Sequence, residues 1–476
     1  MRRIFFATLL VSLAAFNASA GTGKIIIVNN DAPGVGLNDP TPAQPVGGNT
    51  GTTLGQQRMN VFLTAAARWS SLLDTNVDIL VQSSFAPLEC GAESAVLGSA
   101  GPRSYHRDFA SAPKSGVWYP VALANKFSGT DISPGLPDIV MQFNGDLDKP
   151  TCLGTQSWYY GLDANEPGND SDLLVVVLHE LAHGLGVSGA TRAPGFRDGF
   201  PAVFDTHTLD LSTGQRWDQM DTSGREESLT NTSNVVWDGA AVRSMINRFL
   251  QPVTALAITE PSIVARNYDI GSANFGPPAT RTALTGRVVR ATDAANTDGA
   301  TTFDGCTAFT NAGAINGNVA MIDRGNCTFV NKARNAQAAG AIGVIIVDNS
   351  RETCTPPTLG GDAADITIPV FSIGPNDGDL LKAQLTAGVA MSGSLRADPS
   401  QLAGTSQSYA RLYAPCTDNP GSSIHHWDVV ASPSLLMEPF VNGDLMHGVD
   451  LTLYQLIDIG WTTSPKSGRR VFKPIQ

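Results

Sequence analysis

His179 and His183 stand four residues apart, with Glu180 between them, in the run SDLLVVVLHELAHGLG over residues 171–186. On an α-helix that spacing is about one turn, so both imidazoles leave the same face. Two ligands on one rigid turn can hold Zn2+ at its short metal–nitrogen distance. Glu180 lies about 100° round the helix from His179, which directs it at a metal-bound water and not at the metal. Zinc lowers the pKa of such a water and polarises a carbonyl, while a neighbouring carboxylate takes the water's proton and passes it to a leaving amine. That chemistry is peptide-bond hydrolysis. The competing reading is a buried helix whose histidines only hydrogen-bond to their surroundings.

Two histidines leave such a site one ligand short. The pattern H-E-x-x-H-x-x-G-x-x-H is matched as far as Gly186, where glycine lets the chain turn off the helix, but Gly189 stands at the expected third position. The third ligand therefore comes from further along the chain. Glu226 or Glu227 would give a thermolysin-like arrangement; His207, His425 and His426 are the histidine alternatives. Asp205 and Asp210 are minor alternatives, as ligands or as partners orienting a ligand imidazole. His106 and His447 read as ordinary surface or loop residues. The acidic run DANEPGNDSD (163–172) fails the EF-hand spacing, because Pro167 and Leu174 fall at its fifth and twelfth positions, so it reads as a polar loop entering a helix.

Residues 426–439 read HWDVVASPSLLMEP, that is, H-W-x8-L-M-x-P. This resembles the leishmanolysin family of metzincins, whose third histidine is displaced from the zinc helix by an insertion. The resemblance implies that His426 is the third ligand and Met437 the residue of the Met-turn, with Leu436 and Pro439 in the same motif. A swap of His425 and His426 needs only a one-residue register shift. The closing segment LTLYQLIDIGW (451–461) is similar as well, and the resemblance covers roughly 24–255 and 405–461. No tyrosine follows Met437 closely.

These residues need elements to hold them. Leu173, Leu174, Val176, Val177, Leu178, Leu181 and Leu185 make the metal segment apolar nearly all round, which predicts a buried helix from about Asp172 to Gly186, capped by Ser171 or Asp170. Lys24–Asn29, Val77–Val81 and Asp138–Phe143 read as strands; Gln56–Leu73 reads as a helix with Met59, Phe62, Leu63, Ala66 and Trp69 on one face. Asp138–Asn144 is either an edge strand to which an extended peptide adds or an interior strand. From about Val264 to Gly404 the style changes to short strands and Gly/Asn/Asp turns, with Gly317–Asp323 and Ala341–Val347 flanking a helix at Val330–Ala339. The run GNVAMIDRGNCTFVNKARNAQAAGAIGVIIVDN (317–349) resembles the protease-associated (PA) domain, an accessory module without catalytic residues, which leaves Asp323 and Arg324 to hold its turn. Val449–Ile459 reads as a closing helix.

Composition bounds the rest. The 476 residues are 42% hydrophobic and 16% charged, ordinary for a globular chain of two or three domains. A net charge of −12 argues against nucleic acid. Arg2, Arg3, the apolar Ile4–Phe16 and Ala18-Ser19-Ala20 read as a signal peptide cleaved near Ala20, too short for a membrane span. Six cysteines without a C-x-x-C pair fit structural disulfides, with Cys90–Cys152, Cys306–Cys327 and Cys354–Cys416 the expected pairing. The resulting expectation is an α+β protein. After a signal peptide at 1–20, a metzincin-like zinc peptidase domain (21–263 and 405–476), with a twisted mixed sheet and a long active-site helix, is interrupted by a PA domain (264–404). It implies a secreted, extracellular or periplasmic, monomeric zinc endopeptidase acting on protein or peptide substrates, with Zn2+ on His179, His183 and His426 and Glu180 as general base. The rival is a secreted binding or adhesion protein with a vestigial site.

Overall fold

The computed structural model describes residues 21–464, apart from 93, 155, 169, 190–194, 278–283, 296, 298–300, 350–354, 362, 443 and 446. The expected signal peptide and Cys354 lie outside the described residues.

The first body is built from β1 (Ile25–Asn29), α1 (Leu54–Leu72), β2 (Ile79–Ala86), β3 (Gly98–Pro102), α2 (Val121–Ser128), β4 (Ile139–Asn144) and α3 (Leu173–Leu185). The sheet order is β1-β2-β4-β3, with β1, β2 and β4 parallel and β3 antiparallel. Strand β2 alternates buried and half-buried positions along its length, so Ile79, Val81 and Phe85 feed the core while their neighbours do not. Helix α1 starts where the Thr53 side chain accepts from Gln56 N. It buries Val61, Phe62, Ala65, Ala66 and Trp69 and leaves Leu63 half exposed, so Val61 and not Leu63 belongs to the inner face. Trp69 crosses to the metal helix and donates its indole N–H to the Leu178 carbonyl at 3.1 Å.

One open alternative is decided and one expectation is corrected. The strand at 139–144 is interior, paired on both sides; the sheet edge is β3, whose Gly-Ser-Ala-Gly-Pro sequence carries too little hydrophobic alternation to signal a strand. The cap of α3 is Asp172, one residue past Ser171: its Oδ1 accepts from Leu174 N at 2.8 Å and more weakly from Val175 N. At the other end Gly186 adopts φ +128 and the Val187 N–H returns to the Ala182 carbonyl, which stops the helix.

A small second sheet carries the chain onward. Its strands β5 (Thr208–Asp210) and β6 (Val235–Trp237) pair antiparallel, and helix α4 (Ala240–Phe249) follows. The chain then enters an eight-stranded sheet whose strands all lie between 252 and 402. It contains β7 (Pro252–Glu260), β8 (Arg266–Tyr268), β9 (Leu284–Arg290), β10 (Val319–Asp323), β11 (Gly343–Val347), β12 (Val370–Ile373) and β13 (Met391–Leu402), plus the short strand Gly271–Ser272. Strands β9 to β12 run parallel in sequence order, while β7 and β13 pair antiparallel as the outgoing and returning segments. Helices α5 (Phe329–Ala338) and α6 (Pro375–Thr386) cover opposite faces: Ala320, Ile322, Val344 and Ile346 pack toward Val330 and Ala333 of α5, and the alternate Met321, Ile345 and Val347 toward Leu381 of α6.

The returning chain forms β14 (Tyr409–Arg411), which pairs with β6 across the excursion, and ends in α7 (Asp450–Ile459). The largest hydrophobic core draws on residues from Ile25 to Leu250 and from Ala410 to Trp461; two separate cores line the eight-stranded sheet. Disulfides join Cys90 to Cys152 and Cys306 to Cys327 as expected, and Cys416 is disulfide-bonded too. Such bonds persist in an oxidising compartment. No helix among the described residues is long and apolar enough to cross a membrane.

Candidate metal centre

Helix α3 brings His179 and His183 to one face, and the segment after β14 brings His426 to meet them. The Nε2 atoms form a near-equilateral triangle: 3.1 Å from His179 to His183, 3.2 Å from His183 to His426 and 3.3 Å from His426 to His179. Among the described residues this is the one group of three or more histidine, cysteine, aspartate or glutamate side chains close enough to share a metal ion.

The opposite ring nitrogens fix the tautomers. Each Nδ1 faces a main-chain carbonyl, which can only accept, so each Nδ1 carries the proton: His179 donates to Leu436 O at 2.7 Å, His183 to Val187 O at 2.7 Å and His426 to Ser422 O at 2.8 Å. All three Nε2 atoms therefore present lone pairs to one another. Three converging lone pairs repel unless a cation lies among them, and a carbonyl on the far nitrogen is how ligand imidazoles are oriented. Tetrahedral zinc with Zn–N of 2.0–2.1 Å spaces its nitrogens roughly 3.3 Å apart. The donor set and the triangle fit that ion. Burial, and then the positive charge that His183 carries when protonated, push the His179 pKa down to about 3. Burial also depresses His183 and carries His426 well below the usual range, so the rings stay neutral and able to ligate.

Glu180 lies beside the triangle beneath β3. Burial pushes its carboxyl up to about 8, opposed by a hydrogen bond from the Ala100 main chain, and its Oε2 is buried without a protein partner. The residue at 98 has to be small here. A Cβ on Gly98 would sit 2.9 Å from Glu180 Oε1 and 3.0 Å from its Cγ. Met437 is fully buried. Its carbonyl accepts from Trp427 N at 2.7 Å, while the neighbouring Leu436 carbonyl holds His179, so the turn at 435–438 orients the metal helix directly. Leu435 N and Leu436 N are held in turn by side-chain carboxyl oxygens of Glu438 (2.7 Å) and Asp450 (2.5 Å).

The other candidates fall elsewhere. His425 stands outside the triangle, edge-on to Phe204 with centroids 5.4 Å apart, and its Nε2 is buried without a partner. His207 stacks on Trp237 and faces Asp238 at 3.5 Å. Asp205 accepts from Ala202 N at 2.7 Å, and Asp210 holds Ser212 and Asn231. Glu226 and Glu227 are exposed on a short helix, Thr222–Ser228, that the sequence did not signal. His106 sits between Ser104 and Ser133 hydroxyls. His447 lies in a loop, as expected, and is partly buried, with Nε2 2.6 Å from Oδ2 of Asp172, so it braces the cap of the metal helix. In the 163–172 loop Asp163 takes the Tyr159 hydroxyl and Asp170 takes Ser157 N, which accounts for those carboxylates as turn partners.

A family model described as PA domain matches residues 284–381, so the parallel part of the eight-stranded sheet is a PA domain. A second, described as SPBPB7E8-like, matches residues 48–205, the span that contains α3. Among curated proteins, ER degradation-enhancing alpha-mannosidase-like protein 3 of Xenopus laevis is 38% identical over 86 residues, 17% of this chain and 9% of that protein. Aminopeptidase YwaD of Bacillus subtilis is 42% identical over 71 residues, 15% of each chain. The chain thus spans at most 15% of the length of either relative. A solved zinc aminopeptidase of Bacillus subtilis, BSAP, aligns over 32% of this chain and 35% of its own at 24% identity and a TM-score of 0.21, too low to argue a shared fold.

Proposed function

We propose that the chain is an exported zinc-dependent endopeptidase of the metzincin kind, with His179, His183 and His426 as ligands and Glu180 as general base. The observation that carries the reading is the triangle of three unprotonated Nε2 atoms, each fixed by a carbonyl on its other nitrogen. When bound, Zn2+ supplies Lewis acidity, acidifying water and polarising a peptide carbonyl. Glu180 then accepts a proton from the attacking water and returns it to the leaving nitrogen. Its buried, unpartnered Oε2 is the atom free to do so. The exposed edge of β3 runs beside Glu180 and offers main-chain groups to an extended peptide, which favours cleavage within a chain.

The same reading divides the chain into a peptidase body at 21–251 and 403–476 and an insertion at 252–402 that includes the PA domain and starts before the 264 expected from the sequence. In support, β7 and β13 pair where the chain leaves and returns. Two variants and one substrate choice test it. His426→Ala should lose zinc, and Glu180→Gln should keep zinc and lose turnover by about 10²–10⁴-fold. A quenched peptide blocked at both ends should be cut internally. Release of residues only from unblocked amino termini would make it an aminopeptidase, and full zinc binding by His426→Ala would remove the site as drawn. Zinc bound without any hydrolysis would favour the vestigial binding protein.

A further inference from the structure

We propose that the Cys306–Cys327 disulfide of the PA domain is a thiol-exchange site, opened by a small-molecule thiol that adds to Cys327 and releases Cys306 as a thiolate held by Lys332. The inference is independent of the peptidase reading. Lys332 is fully buried on α5, and its ammonium donates to the Asp304 carbonyl and, at 3.6 Å, to Cys306 Sγ. Burial lowers the pKa of that ammonium, and the carboxylates of Asp304, Asp293 and Asp323 oppose the fall. A cation set against one sulfur does little for a neutral S–S bond, but it stabilises the thiolate that appears when the bond opens. The loop after β10 closes directly over the ammonium: a Cβ on Gly325 would stand 3.4 Å from Lys332 Nζ and 3.0 Å from Asp304 Cβ.

The two cysteines are placed differently. Cys306 is 8% exposed, whereas Cys327 is half-buried between the exposed Asn326 and Thr328. Exchange runs in line with the S–S bond, so a thiolate arriving from solvent attacks Cys327 and drives Cys306 out toward Lys332. The incoming sulfur forms a new bond to Cys327, the Cys306–Cys327 bond breaks, and its electron pair stays on Cys306. One disulfide replaces another, so no oxidant or reductant is consumed. The segment around Cys306 does not rely on the bond alone. Asn331, Lys332 and Asn335 of α5 donate to the carbonyls of Cys306 (3.1 Å), Asp304 and Gly305 (2.9 Å), so the helix itself carries residues 304–306. Cys306 N also donates to Asp304 Oδ1 at 3.2 Å, which keeps the released sulfur beside the ammonium. Among the described residues no lysine or arginine donates to a sulfur of Cys90–Cys152, which makes that bond the internal control.

The folded full-length protein is incubated with reduced glutathione, quenched with a maleimide, and mapped by peptide mass spectrometry. Glutathione should appear on Cys327 and maleimide on Cys306, while Cys90–Cys152 stays closed. Lys332→Met should slow the exchange by about 3–30-fold, the effect of a leaving thiol whose pKa is no longer depressed. Glutathione on Cys306, exchange no faster than at Cys90–Cys152, or an unchanged rate in folded Lys332→Met overturns the proposal. If Lys332→Met fails to fold, thiolate absorbance decides. In Cys327→Ser, measured against the Cys306→Ser/Cys327→Ser double variant, Cys306 should titrate below about 7.5; titration at or above the ordinary value of about 8.5 overturns it.

Discussion

The cap of α3 offers the clearest quantitative test of how the metal helix is held. Asp172→Ala removes two interactions at once. Its Oδ1 no longer accepts from Leu174 N (2.8 Å), a loss of about 1 kcal/mol for an N-cap. Its Oδ2 no longer meets His447 Nε2 (2.6 Å), which leaves a partly buried imidazole nitrogen unpaired at about 1–3 kcal/mol. The sum is about 2–4 kcal/mol, or roughly 5–15 °C in Tm for a body of this size. Asp172→Ser keeps the cap and loses the histidine, so it should fall between. Asp172→Asn keeps the cap oxygen and offers an amide to His447, so it should lose least. Zinc content should be preserved in all three, because His179 lies two turns further along and is held separately by Leu436. Circular dichroism melts with metal analysis would decide. A serine variant as unstable as the alanine one would show that the cap contributes nothing, and an alanine variant within 1 °C of wild type would sink the account.

Gly98→Ala should retain zinc and lose kcat by roughly 10–100-fold, because the new methyl contacts Glu180 at 2.9 Å and displaces the base or the strand above it; unchanged kcat would mean that the carboxylate has room to spare. His425→Ala should keep full zinc occupancy where His426→Ala loses it, since only the second imidazole belongs to the triangle; the reverse result would reassign the ligand. Glu438 gives a pH signature. Burial pushes its carboxyl up to about 9, so the folded state keeps a proton that the unfolded chain releases near pH 4, and stability falls as pH rises through that window. Glu438→Gln should therefore match wild type in Tm near pH 5 and exceed it near pH 8; parallel curves would refute the shift.

The sequence carried the metal helix and the third histidine for different reasons. HELAH on an apolar segment is local information, because one helical turn sets both imidazoles on one face. His426 was legible only through the motif H-W-x8-L-M-x-P, since no spacing rule joins it to His183 over 243 positions. In the structure its imidazole lies in the one group among the described residues that could share a metal ion. Strand β3 was invisible because Gly98, Ser99, Ala100, Gly101 and Pro102 lack strand propensity, and the strand forms by pairing with β4 from Gly98↔Phe143 to Pro102↔Ile139. His447 was read only as an ordinary surface or loop residue for a related reason: nothing local to a loop reveals that its side chain reaches the cap of a helix 275 positions earlier. The insertion was read from its turns and its PA-like run, yet its flanking strand β7 starts at Pro252, before the expected boundary at 264.

An imidazole so far along the chain from the helix it faces can be set against it because the excursion adds almost no slack to the body. The chain leaves after Gln251 and returns at Ala403, and these two residues are hydrogen-bonded, Ala403 N to Gln251 O at 2.9 Å. Gln251 N in turn donates to Ser432 O at 2.8 Å, beside the turn that holds His179. The paired β7 and β13 close the excursion at its base, so for the body it acts as a short connection whatever its length. From there β14 registers on β6, Val236 opposite Arg411 and Trp237 opposite Ala410. Leu412 then bridges to Trp427, and Tyr413 N binds the His426 carbonyl at 2.8 Å. The position of His426 is thus inherited, bond by bond, from a strand that precedes the excursion. Rearrangement within the PA domain that leaves the β7–β13 base paired should reach the metal site only weakly, whereas unpairing of Ala403 from Gln251 should loosen His426 directly.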